Sequence, residues 1–144
     1  MQEADLTGAW LLVEWSAQYP DGRRTEPFGT RPRGLIMYSA DGWMSAILMR
    51  ADRTPFGSYD IRTVGRDERA RAFDEYLSYA GRWRLDDGTL HHEVEFALNP
   101  QLMGTTQVRE AQLARDQLTL TATETLLPSG DVRRHVIRWR RAGR

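Results

Sequence analysis

The chain contains no cysteine and no lysine, so all 20 of its basic side chains are arginines. Without cysteine there is no disulfide framework, thiolate nucleophile or cysteine-ligated zinc site. Without lysine, catalysis through a Schiff base on a lysine amine is excluded. We attribute the arginine bias itself to genome composition.

Net charge and long apolar runs are also missing. The 20 basic residues balance 20 acidic ones, so no overall field steers the chain towards nucleic acid or an anionic membrane. No run approaches the ~18 to 20 apolar residues of a membrane span. The acidic segment MQEADLTGAW at the start does not resemble a signal peptide. We therefore expect a cytoplasmic protein without a membrane or nucleic-acid partner.

The residues that are present suit one globular domain over residues 1–144. Hydrophobic residues make up 40% of the chain and charged residues 28%, as in ordinary globular proteins. Five tryptophans is a high number for this length. Such large rings fill a core, and they also line pockets.

Short runs of β-favouring residues, separated by turn signals, recur along the chain. Strong turn signals are Tyr19-Pro20-Asp21-Gly22 and Asp41-Gly42. Eight strands are predicted between the turns, over residues 9–17, 35–40, 43–50, 81–85, 90–98, 105–113, 117–124 and 132–141. Apolar side chains recur at helical spacing over residues 67–80, which predicts one helix after the third strand.

Strands joined mostly by short turns are antiparallel. A large antiparallel sheet tends to close on itself, because closure removes its exposed edges. The predicted fold class is therefore all-β, an eight-stranded antiparallel barrel with one α-helix between the third and fourth strands. A barrel of this size holds packed side chains or one small ligand.

The start of the first strand, Gly8-Ala9-Trp10, resembles the Gly-x-Trp signature of lipocalin and calycin barrels. In those barrels the tryptophan closes one end and stacks against a basic residue from a late strand. By that resemblance, Arg138 or Arg140 is the expected stacking partner of Trp10.

A longer set of motifs resembles the lipocalin-like domain family of bacterial and fungal proteins. It includes Pro27-Phe28-Gly29, Asp41-Gly42-x-Met44-Ser45-Ala46, Asn99-Pro100 and Gln107-Val108-Arg109. The resemblance runs over nearly the whole chain and implies a lipocalin-like, calycin-type barrel. Related small barrels in natural-product pathways bind polyketide- or terpenoid-like substrates, and some steer a cyclisation or isomerisation.

Polar residues that alternate with apolar ones on a strand are candidates for a pocket wall. His92 shares a face with Val94 and Phe96 on the most cleanly alternating strand. On the next strand Gln107 and Arg109 share one face and Val108 lies on the other. Which of those two faces points inwards stays open, as it does for the last strand.

Three residues are predicted to be catalytic. His92 is the candidate acid or base, because histidine titrates near neutrality. Arg109 suits a carboxylate or enolate oxygen through its bidentate guanidinium. The Tyr38 hydroxyl suits a developing oxyanion. The predicted ligand contacts are Met49, Tyr79, Trp83, Phe96, Gln107 and His135.

The same residues allow a structural interpretation, since buried polar groups are routinely paired with one another. Metal binding is not expected, because the adjacent His91 and His92 point to opposite faces of a strand and cysteine is absent. No phosphate-binding glycine loop or nucleophile elbow is present in the sequence. We therefore expect no cofactor.

Two functional hypotheses follow. In the first, the barrel is a cofactor-free isomerase or cyclase that acts on a hydrophobic, polyketide- or terpenoid-like biosynthetic intermediate. In the second, it carries such a molecule without transforming it. The partner in both is a small hydrophobic molecule, and an oligomer is compatible with either.

Overall fold

A computed structural model, which describes residues 1–143, shows an antiparallel β-barrel. The strands are β1 (Gly8–Gln18), β2 (Arg24–Thr25), β3 (Arg33–Tyr38), β4 (Trp43–Met49), β5 (Tyr76–Asp86), β6 (Thr89–Ala97), β7 (Thr106–Ala114), β8 (Gln117–Thr125) and β9 (Val132–Arg141). The α-helices are α1 (Glu3–Leu6) and α2 (Arg66–Asp74), and 3-10 turns span Ile61–Thr63 and Pro100–Leu102. No helix among residues 1–143 is long and apolar enough to cross a membrane.

Eight long strands close the barrel, as predicted. Their order is β1-β3-β4-β5-β6-β7-β8-β9, and β9 pairs with β1 to complete the circle. The two-residue strand β2 pairs with the end of β1, where Ala17 faces Thr25. Because β2 was not predicted, the helix follows the fourth strand of the chain and not the third, which corrects the predicted position.

The helix is also shorter than predicted. It ends at Asp74, and β5 begins at Tyr76. None of its residues is buried, so the helix contributes little to the core. The apolar residues at its predicted end follow the period of a strand instead. Leu77, Tyr79 and Trp83 all face the interior from β5.

One end of the barrel is closed by Trp10 and Leu6, both fully buried. The Trp10 Nε1 atom donates a hydrogen bond to the Leu6 carbonyl at 2.9 Å. The guanidinium of Arg141 lies over the Trp10 ring, 4.2 Å from its centre. The expected partner, Arg138 or Arg140, was wrong, because alternation along β9 puts both of those side chains outside the barrel and brings Arg141, the residue after Arg140, over the ring instead.

A bulge in β6 changes which side chains face inwards. Ala80 pairs with Phe96 but Gly81 pairs with Val94, so Glu95 is the extra residue. Beyond the bulge the alternation reverses, which leaves Phe96 63% exposed. Gly81 permits the bulge, since a Cβ there would lie 1.9 Å from the Glu93 carbonyl oxygen.

Candidate functional site

The part of the interior that the core does not fill is a cavity of about 490 Å³. Cavities of this size, with apolar walls and a few polar groups, are typical of small-molecule sites. The walls are mainly apolar and come from most strands of the barrel, and they include Ile36, Leu48, Leu77, Leu102, Leu120 and Ile137. The polar groups form one cluster deep in the barrel and one at its open end, and Gln107 and Arg109 add a further polar pair on β7.

The inner cluster consists of Tyr38, Tyr79 and His92, from β3, β5 and β6. A hydrogen bond of 2.8 Å joins the Tyr38 hydroxyl to Nε2 of His92. Another of 2.8 Å joins the Tyr79 hydroxyl to Nδ1 of the same ring. His92 is fully buried, and a phenol group is hydrogen-bonded to each of its ring nitrogens.

Burial keeps this cluster uncharged. The pKa of His92 is lowered to about 3, first by burial and then by the positive charges of Arg109 and His91. Burial likewise raises the pKa of Tyr38 well above its ordinary value, and Tyr79 adds to that rise. Burial raises the pKa of Tyr79 as well, and Arg109 partly opposes this. Imidazole and phenols are all neutral at physiological pH.

Strand β7 presents Gln107 and Arg109 to the cavity, whereas Val108 is 47% exposed on the outer face. This answers which face of β7 points inwards. Arg109 donates through Nη2 to the Gln107 side-chain oxygen at 3.4 Å and through Nη1 to the Val108 carbonyl at 2.9 Å. Within residues 1–143 it has no carboxylate within 4.0 Å, so its positive charge borders the cavity without a counter-ion.

The mouth cluster consists of Trp15, Glu124, Arg133 and His135. It lies near the ends of β1 and β9 that are remote from Trp10. Trp15 donates through Nε1 to Nδ1 of His135 at 3.1 Å. Because Nδ1 accepts, the ring proton is on Nε2, which donates to Glu124 at 2.7 Å.

Glu124 is the centre of the mouth cluster. Arg133 donates through Nε to the same carboxylate oxygen at 2.6 Å. These hydrogen bonds, that of Arg133 first, hold the pKa of Glu124 below its usual value. The Glu124 and Arg133 side chains remain 44% and 28% exposed, so this ion pair is in contact with solvent.

Five of the nine predicted site residues line the cavity, namely Tyr79, His92, Gln107, Arg109 and His135. The face of β9 left open by the sequence is therefore the one that carries His135. Tyr38 does not line the cavity, but it is hydrogen-bonded to His92, which does. Trp83 lies further back, with its ring 4.8 Å from that of Tyr38 and its Nε1 bonded to the Ser39 carbonyl at 3.0 Å.

Besides Trp83, two further predicted ligand contacts do not line the cavity. Phe96 is turned outwards by the β6 bulge. Met49 lies on the outer face of β4, because the inward positions of that strand are Met44, Ala46 and Leu48. Alternation puts Met49 opposite Leu48, but both faces of this strand carry apolar residues, so the sequence alone did not decide which one points inwards.

Sequence reasoning missed three residues of the mouth cluster. Glu124 continues the alternation of Leu120 and Ala122 in β8, and Arg133 precedes His135 by two positions in β9. That periodicity was the available signal. Trp15 was harder to assign, since the pairing register of β1 with β9 shifts between Leu12 and Glu14. No group of three or more His, Asp or Glu side chains in residues 1–143 is placed to hold a metal ion.

Comparison with known proteins agrees with this architecture. The model of the lipocalin-like domain family matches residues 7–142. The chain is 31% identical over 109 residues to the 4'-hydroxy-3'-methoxypropiophenone carrier protein ppsC of Aspergillus oryzae, an alignment that covers 70% of this chain and 98% of the relative. No solved structure matches the chain significantly. By its match over almost the whole barrel, the chain belongs to the lipocalin-like domain family.

Proposed function

We propose that the barrel binds and carries one small, mainly apolar molecule that has at least one polar oxygen. The observation that carries this proposal is the cavity of about 490 Å³, with apolar walls and a neutral, fully hydrogen-bonded histidine beside the free charge of Arg109. Apolar walls bind the body of such a molecule, and a few polar groups fix its orientation.

The relative in Aspergillus oryzae suggests the ligand class. Its name assigns it an aromatic ketone as cargo. An aromatic ketone combines an apolar ring with one strong hydrogen-bond acceptor, which suits this cavity. We therefore propose a hydrophobic intermediate of natural-product biosynthesis as the ligand. The proposal includes no cofactor and a cytoplasmic location.

The state of His92 favours a carrier over an enzyme. A general acid or base works best when its pKa is near the working pH, and burial lowers the pKa of His92 to about 3. Both ring nitrogens are also engaged by tyrosines, at 2.8 Å each. His92 then has neither the free nitrogen nor the basicity that proton abstraction from a ligand requires.

The proposal is tested by blocking the cavity. Ala122 lines it, and Ala122→Phe puts a ring into the space that a ligand would occupy. Ala114→Phe is the matched control, because Ala114 is exposed at the end of β7. Calorimetric titration with 4'-hydroxy-3'-methoxypropiophenone, and fluorescence titration with anilinonaphthalene sulfonate, would measure binding to each variant.

We expect one probe molecule per chain for the unmodified protein and for Ala114→Phe. Binding to Ala122→Phe should fall at least about tenfold, which corresponds to a loss of about 1.4 kcal/mol. Equal binding by both variants would show that the probes attach elsewhere. Absence of binding by the unmodified protein would also contradict the proposal.

Catalysis as an isomerase or cyclase is the second candidate. It is favoured by one observation, that Tyr79 and Arg109 line the same cavity and Arg109 acts on the Tyr79 phenol. Two such donors could stabilise negative charge on an enolate oxygen. His92→Gln and Arg109→Gln would test it in a reconstituted pathway. Lost product formation with retained binding would favour the enzyme, and unchanged product formation would exclude these catalytic roles.

A further inference from the structure

The number of hydrogen atoms that His92 can donate restricts the directions of the hydrogen bonds in the inner cluster. A neutral imidazole has one N–H donor and one bare nitrogen that accepts. His92 is neutral, as its depressed pKa and complete burial indicate. It bonds one tyrosine at each nitrogen. One of the two tyrosines must therefore donate its hydroxyl hydrogen to the ring, and the other must accept from it.

The surroundings of Tyr38 decide which tyrosine donates. Tyr38 is 1% exposed and does not line the cavity. Within residues 1–143 its hydroxyl has one hydrogen-bonding neighbour, Nε2 of His92 at 2.8 Å. If Nε2 carried the ring proton, the Tyr38 hydrogen would be buried without any acceptor. Leaving a buried donor unpaired is unfavourable, whereas an oxygen lone pair without a donor is better tolerated.

We infer that the inner cluster is a directed chain in which Tyr38 donates to Nε2 of His92, Nδ1–H donates to Tyr79, and the Tyr79 hydroxyl donates into the cavity to a carbonyl oxygen of the ligand. Tyr79 lines the cavity, and besides Nδ1 of His92 the only side chain that acts on its hydroxyl within residues 1–143 is Arg109, which can donate to the phenol oxygen but cannot accept its hydrogen. With Nδ1–H as donor, the Tyr79 hydrogen is free for a ligand.

The neighbours of Tyr79 restrict the ligand oxygen further. Arg109 is close enough to act on the Tyr79 phenol, and a guanidinium only donates. The nearby Gln107 oxygen already accepts from Arg109. This corner of the cavity thus presents mostly donors, and the Gln107 oxygen is already engaged by Arg109, so a ketone oxygen suits it better than an alcohol, which brings a hydrogen of its own. This inference rests on the proposed function, since it assumes that the cavity takes a ligand.

The first test needs no ligand. Nitrogen-15 NMR of histidine-labelled protein shows which ring nitrogen carries the proton, and His92→Gln identifies the signals of His92. We expect the proton on Nδ1 and a bare Nε2. For His135 the hydrogen bond from Trp15 to Nδ1 implies the opposite arrangement, with the proton on Nε2, which provides an internal reference. A proton on Nε2 of His92 would overturn the inference by itself.

The second test compares two tyrosine variants and two ligands. Tyr79→Phe should weaken binding of 4'-hydroxy-3'-methoxypropiophenone about tenfold, as expected for loss of one hydrogen bond in a buried site. Tyr38→Phe should change it less than about threefold, because the Nδ1–H arrangement leaves no buried hydrogen unpaired. The alcohol obtained by reducing the ketone should bind unmodified protein about tenfold more weakly.

The two proposals fail in different ways. If the protein binds ketone and alcohol equally, or if both tyrosine variants bind the ketone equally, the ligand end of the directed chain is overturned and the carrier function stands. If neither the ketone nor anilinonaphthalene sulfonate binds, the carrier function and the ligand end of the chain are overturned together. The NMR result still decides the direction of the hydrogen bonds in that case.

Discussion

The two histidine clusters of this barrel have opposite surroundings. His92 is fully buried between two phenols, whereas His135 lies among a carboxylate, a guanidinium and an indole at the open end. Deep in the barrel all hydrogen-bonding partners of the histidine are neutral. At the mouth, Glu124 and Arg133 keep their charges and remain partly exposed.

The difference follows from the cost of burying charge. An ionised group removed from water is destabilising unless it is fully paired. Tyrosine supplies a hydrogen-bonding group without a charge, so it can satisfy a histidine in the dry interior. At the mouth, water solvates the ion pair, and the same residue type takes charged partners. The inner cluster can therefore orient a ligand while the mouth cluster contacts solvent.

The largest loss of stability is expected from a substitution in the backbone that holds the inner cluster. Gly81→Ala would place a Cβ 1.9 Å from the Glu93 carbonyl oxygen and force apart the strands that carry Tyr79 and His92. We expect a loss of about 3 kcal/mol or more in the free energy of unfolding, measured by urea denaturation. Gly143→Ala meets nothing within 4 Å and should be neutral. A mild effect of Gly81→Ala would mean that the bulge can relax.

Removing each histidine compares the clusters directly. His92→Ala leaves two buried hydroxyls without their partner, and we expect a loss of about 3 kcal/mol in unfolding free energy. His135→Ala should lose only about 1 kcal/mol, since Glu124 keeps Arg133 and water can reach the mouth. Equal losses in the two variants would contradict the distinction between a dry and a solvated cluster.

The depressed pKa of His92 makes stability depend on pH. The unfolded chain binds a proton at His92 below about pH 6.5, but the folded protein does so only below about pH 3. Stability should therefore fall with decreasing pH, by about 2 kcal/mol from about pH 7.5 to about pH 5. Urea denaturation across this range should show the slope for the unmodified protein and for His135→Gln. If His92→Gln keeps the same slope, His92 is not its source.

The smallest effect is expected at the mouth. Glu124→Gln removes the charge that pairs with Arg133 and keeps an oxygen that can accept from His135. Because the pair is partly exposed, we expect a loss of less than about 1 kcal/mol in unfolding free energy. Thermal unfolding with and without added salt would measure it. A loss several times larger would show that the mouth is as dry as the inner cluster.

Much of the architecture was predictable from the sequence because turn residues and alternation are local signals. Asp41-Gly42 marks a hairpin, and the alternation of β6 identifies His92 as inward. Alternation failed where a long-range feature interrupts it. The bulge at Glu95 depends on Gly81 in the neighbouring strand, so the sequence of β6 alone does not predict it.

The site was predictable only in part for a similar reason. Residues on strands with regular alternation, such as Gln107 and Arg109, were identified as candidates, but only the structure shows that their side chains point into the cavity. The period of residues 76–80 fits both a helix and a strand, and pairing of β5 with β4 and β6 decided for the strand. The roles of Tyr38 and Tyr79 depend on hydrogen-bond direction, which no sequence pattern encodes.

The central claim is that Tyr79, oriented by His92, holds a carbonyl oxygen of the ligand. Carbon-13 NMR of 4'-hydroxy-3'-methoxypropiophenone labelled at its carbonyl carbon tests this most directly. Hydrogen bonding moves a carbonyl signal downfield, so we expect a downfield shift on binding that persists in Tyr38→Phe and largely disappears in Tyr79→Phe. A bound carbonyl signal that is the same in unmodified protein and in Tyr79→Phe would contradict the account.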